Sequence, residues 1–224
     1  MKKTFAFLLC AALLLAVSLS AQAEIVGQTG DGTFIHRHIA PNGQELYFVS
    51  LEREPMVLME DVNFDGIGDI VAYTAVGASN FFTEFFVWDG EKYVTAQHDS
   101  ETGLCNYNLD HPGYVVTYAQ NGWAGALFER RIYQWEGTHL RLRRVMISEC
   151  DTETIFTDTG YTTSENQTVL HIRLKDYVQE EDELNQTLLW ETRLNVEDLE
   201  NSKFFNTLNN KLWEGIETML VFTV

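Results

Sequence analysis

Oxygen-bearing side chains recur at short intervals in the segment DVNFDGIGD, residues 61–69. A hard cation such as calcium takes six to eight oxygen ligands at about 2.3 to 2.6 Å, and alternate residues of a tight loop can supply them. A glycine at position 6 of the segment, Gly66, allows the sharp turn that folds such ligands inward. The segment therefore predicts a calcium site whose ligands, at positions 1, 3, 5, 7 (by its carbonyl) and 9, are Asp61, Asn63, Asp65, Ile67 and Asp69.

Several alternatives to this site follow from the same residues. An EF-hand is excluded, because position 12 is Ala72 where a bidentate Glu is needed, and because both flanks have strand-like composition. Asp69 must then supply the closing carboxylate. Magnesium fits less well than calcium, since it prefers a tight octahedron that keeps several waters. The remaining alternative is an acidic turn that holds no metal.

The loop belongs to a segment that occurs twice in the chain. Residues 68–77 match residues 113–122 with a shift of 45 positions, and residues 86–90 match residues 133–137 with a shift of 47. Conserved order and spacing indicate one supersecondary unit used twice. In the second copy the loop becomes NYNLDHPGY, residues 106–114, which has lost the first and last carboxylates and the glycine at position 6. We therefore expect the turn to be kept and the cation site to be lost in that copy.

The pattern D-x-N-x-D-G-x-x-D between short strands resembles the calcium loop of integrin-type FG-GAP and VCBS propeller repeats. Together with Gly77-Ala-Ser-Asn80 and the Trp88-Asp-Gly90 hairpin, it makes residues 45–145 similar to small secreted bacterial proteins of this kind, some of which are lysozyme-inhibitor-like. The resemblance implies Asp61, Asn63, Asp65 and Asp69 as calcium ligands. It also implies a lysozyme-like hydrolase as a partner.

The elements that position the loop are predicted to be mainly β. Short runs rich in β-branched and aromatic residues are separated by turn pairs such as Asp89-Gly90, and the leucines of residues 139–143 alternate with charged residues. A 45-residue repeat of short strands suits a propeller blade, but two copies cannot close a propeller. We expect blade-like antiparallel meanders that form an open sheet or sandwich.

The tail of the chain has a different period. Apolar residues recur at every fourth position, which predicts a helix within residues 195–220, or two helices broken near residues 201–202. Its apolar stripe is expected to cover a sheet face. The stripe consists of Phe204, Leu208, Leu212, Ile216 and Leu220.

The N-terminus and the charge favour an exported protein. Residues 1–23 combine a basic start, a short apolar core and an Ala-x-Ala end, as in a secretory signal peptide, and no membrane span is expected after its cleavage. The remaining 201 residues carry 13 basic and 33 acidic side chains, a net charge of −20. Such a surface repels nucleic acid and attracts basic proteins. We expect an extracytoplasmic chain with a β-repeat region at 24–150 and C-terminal strands and a helix at 151–224, in one domain.

A few further side chains are candidates for chemistry. Cys105 and Cys150 remain after cleavage, and an even pair in an exported chain predicts one disulfide. Trp123, between glycines, is a candidate anchor for a partner. His36 and His38 share one strand face, but with no third zinc ligand evident we interpret them as a solvated pair.

No known catalytic motif is found in the sequence. We therefore assign no catalytic residue and predict a calcium-stabilised binding protein that engages a basic protein or a cell-wall component, such as an inhibitor of a lysozyme-like hydrolase. The alternatives are an extracytoplasmic hydrolase that acts on glycans or peptides, and a structural or adhesive module.

Overall fold

The structure is a computed structural model that describes residues 23–100, 103–122, 126–156, 164–180, 183–195 and 202–216. Its sheets are open and almost entirely antiparallel, and a helix follows the last strand, so the predicted fold class is confirmed. In the part of the chain that the structure describes, no helix has the length and the apolar character needed to cross a membrane. The signal peptide at 1–23 lies, except for Ala23, outside the described residues.

The chain divides into two compact units. The first contains the described residues up to Gly77 together with Phe81–Ala96, and the second contains Ala78–Asn80 and the described residues from Gln97 onward. Residues 150 and 151, where the two sequence-based regions meet, both lie in one continuous strand.

The first unit is built from two antiparallel sheets. Strands β1 (Glu24–Gln28), β2 (Phe34–Ile39) and β3 (Glu45–Ser50) form one sheet in that order, while β4 (Val57–Glu60), β5 (Asp69–Val76), β6 (Phe81–Trp88) and β7 (Tyr93–Thr95) run in order in the other. Alternate residues of β3 are buried, as a strand with one solvated face requires. The buried side chains form a core of Ala40, Leu46, Phe48, Ile70, Ala72, Phe86 and Tyr93.

The second unit is dominated by one large sheet. Its strands β10 (Tyr114–Gly122), β11 (Leu127–Glu136), β12 (His139–Phe156), β13 (Ser164–Glu180) and β14 (Glu183–Asn195) lie in chain order, and β8 (Gln97–His98) pairs in parallel with the start of β12. Strand β9 (Leu104–Cys105) precedes β10. Leu140 and Leu142 of β12 are buried while the arginines between and after them are half-buried, which confirms the predicted half-exposed strand.

Helix α1 (Ser202–Trp213) covers one face of this large sheet. Leu208, Leu212 and Ile216 are buried against Phe128, Ile132 and Met146, among other core residues, so the predicted apolar stripe is confirmed where it is described. Within the described residues the helix begins at Ser202 rather than at Asn195, because β14 pairs with β13 as far as Asn195. Leu220 lies outside the described residues.

The repeat appears as the same order of elements in each unit. In the first copy β5 and β6 form a hairpin, and a turn at Asp89-Gly90 leads to β7. In the second copy β10 and β11 form a hairpin, and a turn at Glu136-Gly137 leads to β12. Both turn glycines have positive φ, 104° at Gly90 and 61° at Gly137, which explains the glycine at this point of each copy.

Candidate functional site

The candidate calcium loop connects two paired strands of the first unit. Strand β4 ends at Glu60 and β5 begins at Asp69, and these two residues face each other in the antiparallel register. The loop Asp61–Gly68 therefore connects two adjacent strands, and the pairing of those strands holds its ends close together. This explains how ligands at both ends of a nine-residue segment can approach one another.

Side-chain oxygens from the first half of the loop converge on its backbone. The Asp65 N–H donates to Asp61 Oδ1 at 3.0 Å and to Asn63 Oδ1 at 3.1 Å, while the Gly66 N–H donates to Asp61 Oδ2 at 2.9 Å. A single N–H thus lies within hydrogen-bond distance of oxygens from positions 1 and 3. The Asp61 and Asn63 side-chain oxygens therefore both lie next to the Asp65 N–H, on the inner side of the turn.

Asp65 completes this inner layer. Its Oδ1 accepts the Ile67 N–H at 2.7 Å, and its Oδ2 accepts a hydrogen bond from the Asn63 amide at 3.0 Å. The backbone reverses at two residues with positive φ, 64° at Phe64 and 85° at Gly66. A non-glycine residue in this region costs on the order of 1 kcal/mol, which the surrounding hydrogen bonds must offset.

Asp69 lies behind the loop and ties it to the next strand. Its side chain is fully buried, with Oδ2 accepting the Val62 N–H at 3.1 Å and Oδ1 accepting the Trp88 N–H at 2.9 Å. The pKa of the Asp69 carboxyl is raised to about 6, mainly by burial and also by the negative charge of Asp65, although the backbone N–H groups of Trp88 and Val62 oppose this rise. The bond to Trp88 was not predicted from the sequence, since its partners are nineteen residues apart.

The donor set suits a hard cation, since every predicted ligand supplies oxygen. Asp61, Asn63 and Asp65 would bind from the inner side of the turn, and Asp69 from behind, because each carboxylate oxygen keeps a lone pair beyond its N–H partner. In the structure these oxygens accept backbone N–H groups. Across the described ranges no three or more His, Cys, Asp or Glu side chains come together as a metal-binding group.

The second copy keeps the turn without these ligands. The Asp110 N–H donates to Asn108 Oδ1 at 2.8 Å, and the Asn108 amide donates to Asp110 Oδ2 at 2.8 Å, which repeats the Asn63–Asp65 pair. The residue at position 1, Asn106, donates instead to the carbonyls of Ser79 and Tyr118, both at 2.8 Å. The turn is therefore stable without carboxylates at positions 1 and 9.

A backbone carbonyl replaces Asp69 in the second copy. The Trp135 N–H donates to the Gly113 carbonyl at 3.1 Å, whereas the matching Trp88 N–H donates to the Asp69 carboxylate. The same backbone group is thus satisfied without a carboxylate. The turn of the second copy thus forms without carboxylates at positions 1 and 9, whereas in the first copy Asp61 and Asp69 accept backbone N–H groups.

The two histidines of β2 are part of the core, so their interpretation as a solvated pair is wrong. The His36 ring stacks on the Phe48 ring with centroids 5.3 Å apart, and its Nε2 bonds the Glu52 carbonyl at 3.0 Å. His38 is buried on the same strand face. Both side chains point into the core, because alternate residues of β2 face the same side of the sheet. The spacing of the two histidines predicted that they share a face, but it did not show whether that face is buried or exposed to solvent.

The predicted disulfide is not formed in the structure, where Cys105 and Cys150 are both thiols. Asn106, next to Cys105, bonds Tyr118 of β10, and Met146 of β12 lies at the level of Tyr118 in the sheet register. Cys150 therefore lies two strands, about 10 Å, from Tyr118 across the sheet, and four residues, about 13 Å, further along it. Cys105 belongs to the short strand β9, which is not part of the β10–β14 order.

One candidate residue lies outside the described residues, namely Trp123. No protein-family model, curated protein or solved structure matches this chain. The resemblance to calcium-loop repeats stays a prediction from the residues that carry it.

Proposed function

We propose that this chain is a calcium-stabilised, extracytoplasmic binding protein whose acidic surface engages a basic partner. The single observation that supports it best is the convergence of the Asp61 and Asn63 oxygens on one backbone N–H in the calcium loop. The turn of the second copy forms without the two outer carboxylates, so their retention in the first copy favours a ligand for them. The leader-like N-terminus supports export.

Calcium in this loop would neutralise carboxylates that otherwise repel one another. The charge of Asp65 acts on the buried Asp69 carboxyl, and burial makes that ionised carboxylate costly. A cation held by Asp61, Asn63, Asp65, the Ile67 carbonyl and Asp69 would reduce both costs. The chain's own residues would then fix β4, β5 and β6 relative to one another through the bonds of Asp69.

The partner is proposed from charge and from the resemblance. A net charge of −20 on the mature chain attracts basic proteins over distances of about a Debye length, 8 Å at physiological salt. By resemblance, the basic protein would be a lysozyme-like cell-wall hydrolase that this chain inhibits.

A melting experiment on residues 24–224 tests the calcium site. Calcium at about a hundredfold excess over its Kd should add about 2.7 kcal/mol of stability, or about 5 to 10 °C in Tm, relative to excess EDTA. The Asp65→Asn variant should lose this gain, because it removes a ligand charge while keeping the acceptor for the Ile67 N–H.

Asp110→Asn is the matched control, since Asp110 holds the same position in the second copy and makes the same bonds to its asparagine. It should keep the full calcium gain. A wild-type chain whose Tm is equal in calcium and EDTA would contradict the proposal, and so would an equal loss in both variants.

A further inference from the structure

The second unit contains a cleft of about 310 Å³ that no assigned role explains. One wall is the turn of the second repeat copy, from Asn106 to His111, and the floor includes Val116 and Tyr118 of β10. Arg130 of β11 closes one side, and the helix supplies Asn209 and Trp213, which lie on one helical face four residues apart. We call this the Arg130 cleft.

Arg130 is a half-buried cation that pairs with no carboxylate among the residues the structure describes. Its guanidinium lies 5.2 Å from the Tyr118 ring centroid and 5.7 Å from that of Phe128, and its only other described polar contact is a long bond to Asn209 Oδ1 at 3.5 Å. Burial lowers the pKa of Arg130, and the electrostatic interaction with Tyr118 opposes this shift.

Other arginines of the same sheet behave differently. Five of them pair with a carboxylate within the described ranges, namely Arg131, Arg141, Arg143, Arg144 and Arg173. A chain with 33 acidic side chains offers many such partners. Unlike these five, Arg130 lines the cleft with guanidinium N–H donors for which the described residues offer no acceptor other than Asn209 Oδ1.

The cleft also presents acceptors. Asp110 uses Oδ2 for the Asn108 amide, and none of its described bonds engages Oδ1. The Asn209 amide N–H₂ has no described partner, since only its Oδ1 contacts Arg130. The lining of the cleft thus contains both donors and acceptors, and the charges of Arg130 and Asp110 balance.

The aromatic walls are fixed by packing. His111 packs against the Trp213 ring with centroids 3.9 Å apart, and Tyr114 meets the same indole edge-on at 5.4 Å. Arg130 similarly covers the Tyr118 ring. The exposed parts of these rings offer apolar surface beside the polar groups without needing to reorient.

We propose that the Arg130 cleft binds a neutral saccharide unit. A sugar hydroxyl both donates and accepts hydrogen bonds, so vicinal hydroxyls can satisfy Arg130, Asn209 and Asp110 together, while the C–H edge of the ring contacts Tyr118 and Trp213. An isolated anion would meet the Asp110 carboxylate. The volume is at the lower end of ligand pockets, about 300 to 1,000 Å³, which suits one or two sugar rings.

Tryptophan fluorescence of residues 24–224 tests this assignment, because Trp213 lines the cleft. The chain is titrated with glucose, galactose, N-acetylglucosamine and their β-1,4 disaccharides, with citrate and L-alanine as charged controls, and saturation-transfer NMR reports which ligand protons touch protein. At least one sugar should bind saturably, and Arg130→Gln should weaken it tenfold or more, since bonds from charged donors are strong.

Asn209→Ala is the second variant, since Asn209 is exposed on the helix surface and its loss should spare the fold. It should also weaken binding, while Arg143→Gln, on a different strand and paired with Glu136, should not. Absence of saturable binding by every sugar overturns the proposal. So does binding that Arg130→Gln leaves unchanged, or a charged control that binds as tightly as the best sugar.

This inference does not depend on the calcium proposal. The cleft belongs to the second unit and the calcium loop to the first, and sugar binding is read by fluorescence and NMR while calcium is read by Tm. Failure of one leaves the result for the other intact.

Discussion

Two Asn–Asp pairs with the same hydrogen bonds stand in different chemical settings in this chain. Asn63 and Asp65 lie in a loop that also contains Asp61 and Asp69, whereas Asn108 and Asp110 lie in a loop that faces the Arg130 cleft. The shared turn is thus a frame on which single residues decide the chemistry. In the first copy, carboxylates at positions 1 and 9 of the loop predict a bound cation. In the second copy these carboxylates are absent, and the turn lines the Arg130 cleft with polar side chains.

His98 gives a residue-scale prediction about pH. Burial lowers its pKa below the ordinary 6.5 and the nearby His139 lowers it further, while the negative charge of Asp99 opposes this. The neutral ring is therefore favoured in the folded state, so its contribution to stability is present above pH 6.5 and is lost as the pH falls below that value.

A His98→Asn variant should keep an acceptor near the Ser100 N–H, which His98 Nδ1 accepts at 3.3 Å, but it cannot be protonated. Its Tm should fall less than that of wild type between pH 7.5 and pH 5, as measured by circular dichroism with EDTA present. Parallel Tm curves for the two proteins would show that His98 does not contribute.

At the scale of elements, the C-terminus of helix α1 is fixed to the sheet by a buried ion pair. Arg144 of β12 and Asp176 of β13 face each other in register, and the Arg144 side chain is 2% exposed. Arg144 also donates to the carbonyls of Leu212 and Glu214 at the end of the helix. One side chain therefore satisfies a buried carboxylate and the carbonyl groups that a helix end leaves unpaired.

Arg144→Met should destabilise the chain by about 3 to 5 kcal/mol, because it leaves Asp176 as a buried charge without its ion-pair partner. Arg143→Met, at the next residue and paired with the more exposed Glu136, should cost only about 1 kcal/mol or less. Urea unfolding followed by fluorescence measures both. Equal midpoints for the two variants would contradict the role of Arg144, and adding Asp176→Leu to Arg144→Met should recover much of the loss.

At the scale of the whole molecule, the acidic excess determines how partners are attracted. Residues 24–224 contain 13 basic and 33 acidic residues, yet several of the basic side chains are already paired within the large sheet. The net field outside the protein is consequently negative. Association with a cationic protein should then be fast and sensitive to salt.

This predicts that a cationic lysozyme binds the mature chain at 20 mM salt and that the association rate falls at least tenfold at 300 mM, as measured by surface plasmon resonance. An acidic protein of similar size serves as the control and should not bind. Inhibition of cell-wall lysis by the same lysozyme would support the specific partner. Neither binding nor inhibition at low salt would contradict it.

The features that depend on neighbours along the chain were predictable from the sequence. The turn glycines, the alternation in β12 and the four-residue period in α1 are local patterns, and each predicted the element or turn that the structure contains. The repeat also follows from the sequence, because matched residues at a fixed shift adopt matched bonds. Local geometry is dictated by local residue types, so these predictions needed no tertiary information.

The features that depend on register between distant strands follow from the tertiary structure alone. The fold places Trp88 on Asp69, pairs Arg144 with Asp176, turns His36 and His38 into the core, leaves Cys105 and Cys150 as thiols, and assembles the Arg130 cleft from a turn, two strands and a helix. Each of these contacts joins residues whose separation along the chain carries no periodic signal. A shift of register by one residue would reverse every side chain of a strand, so burial against a shared core, rather than sequence spacing, selects these partners.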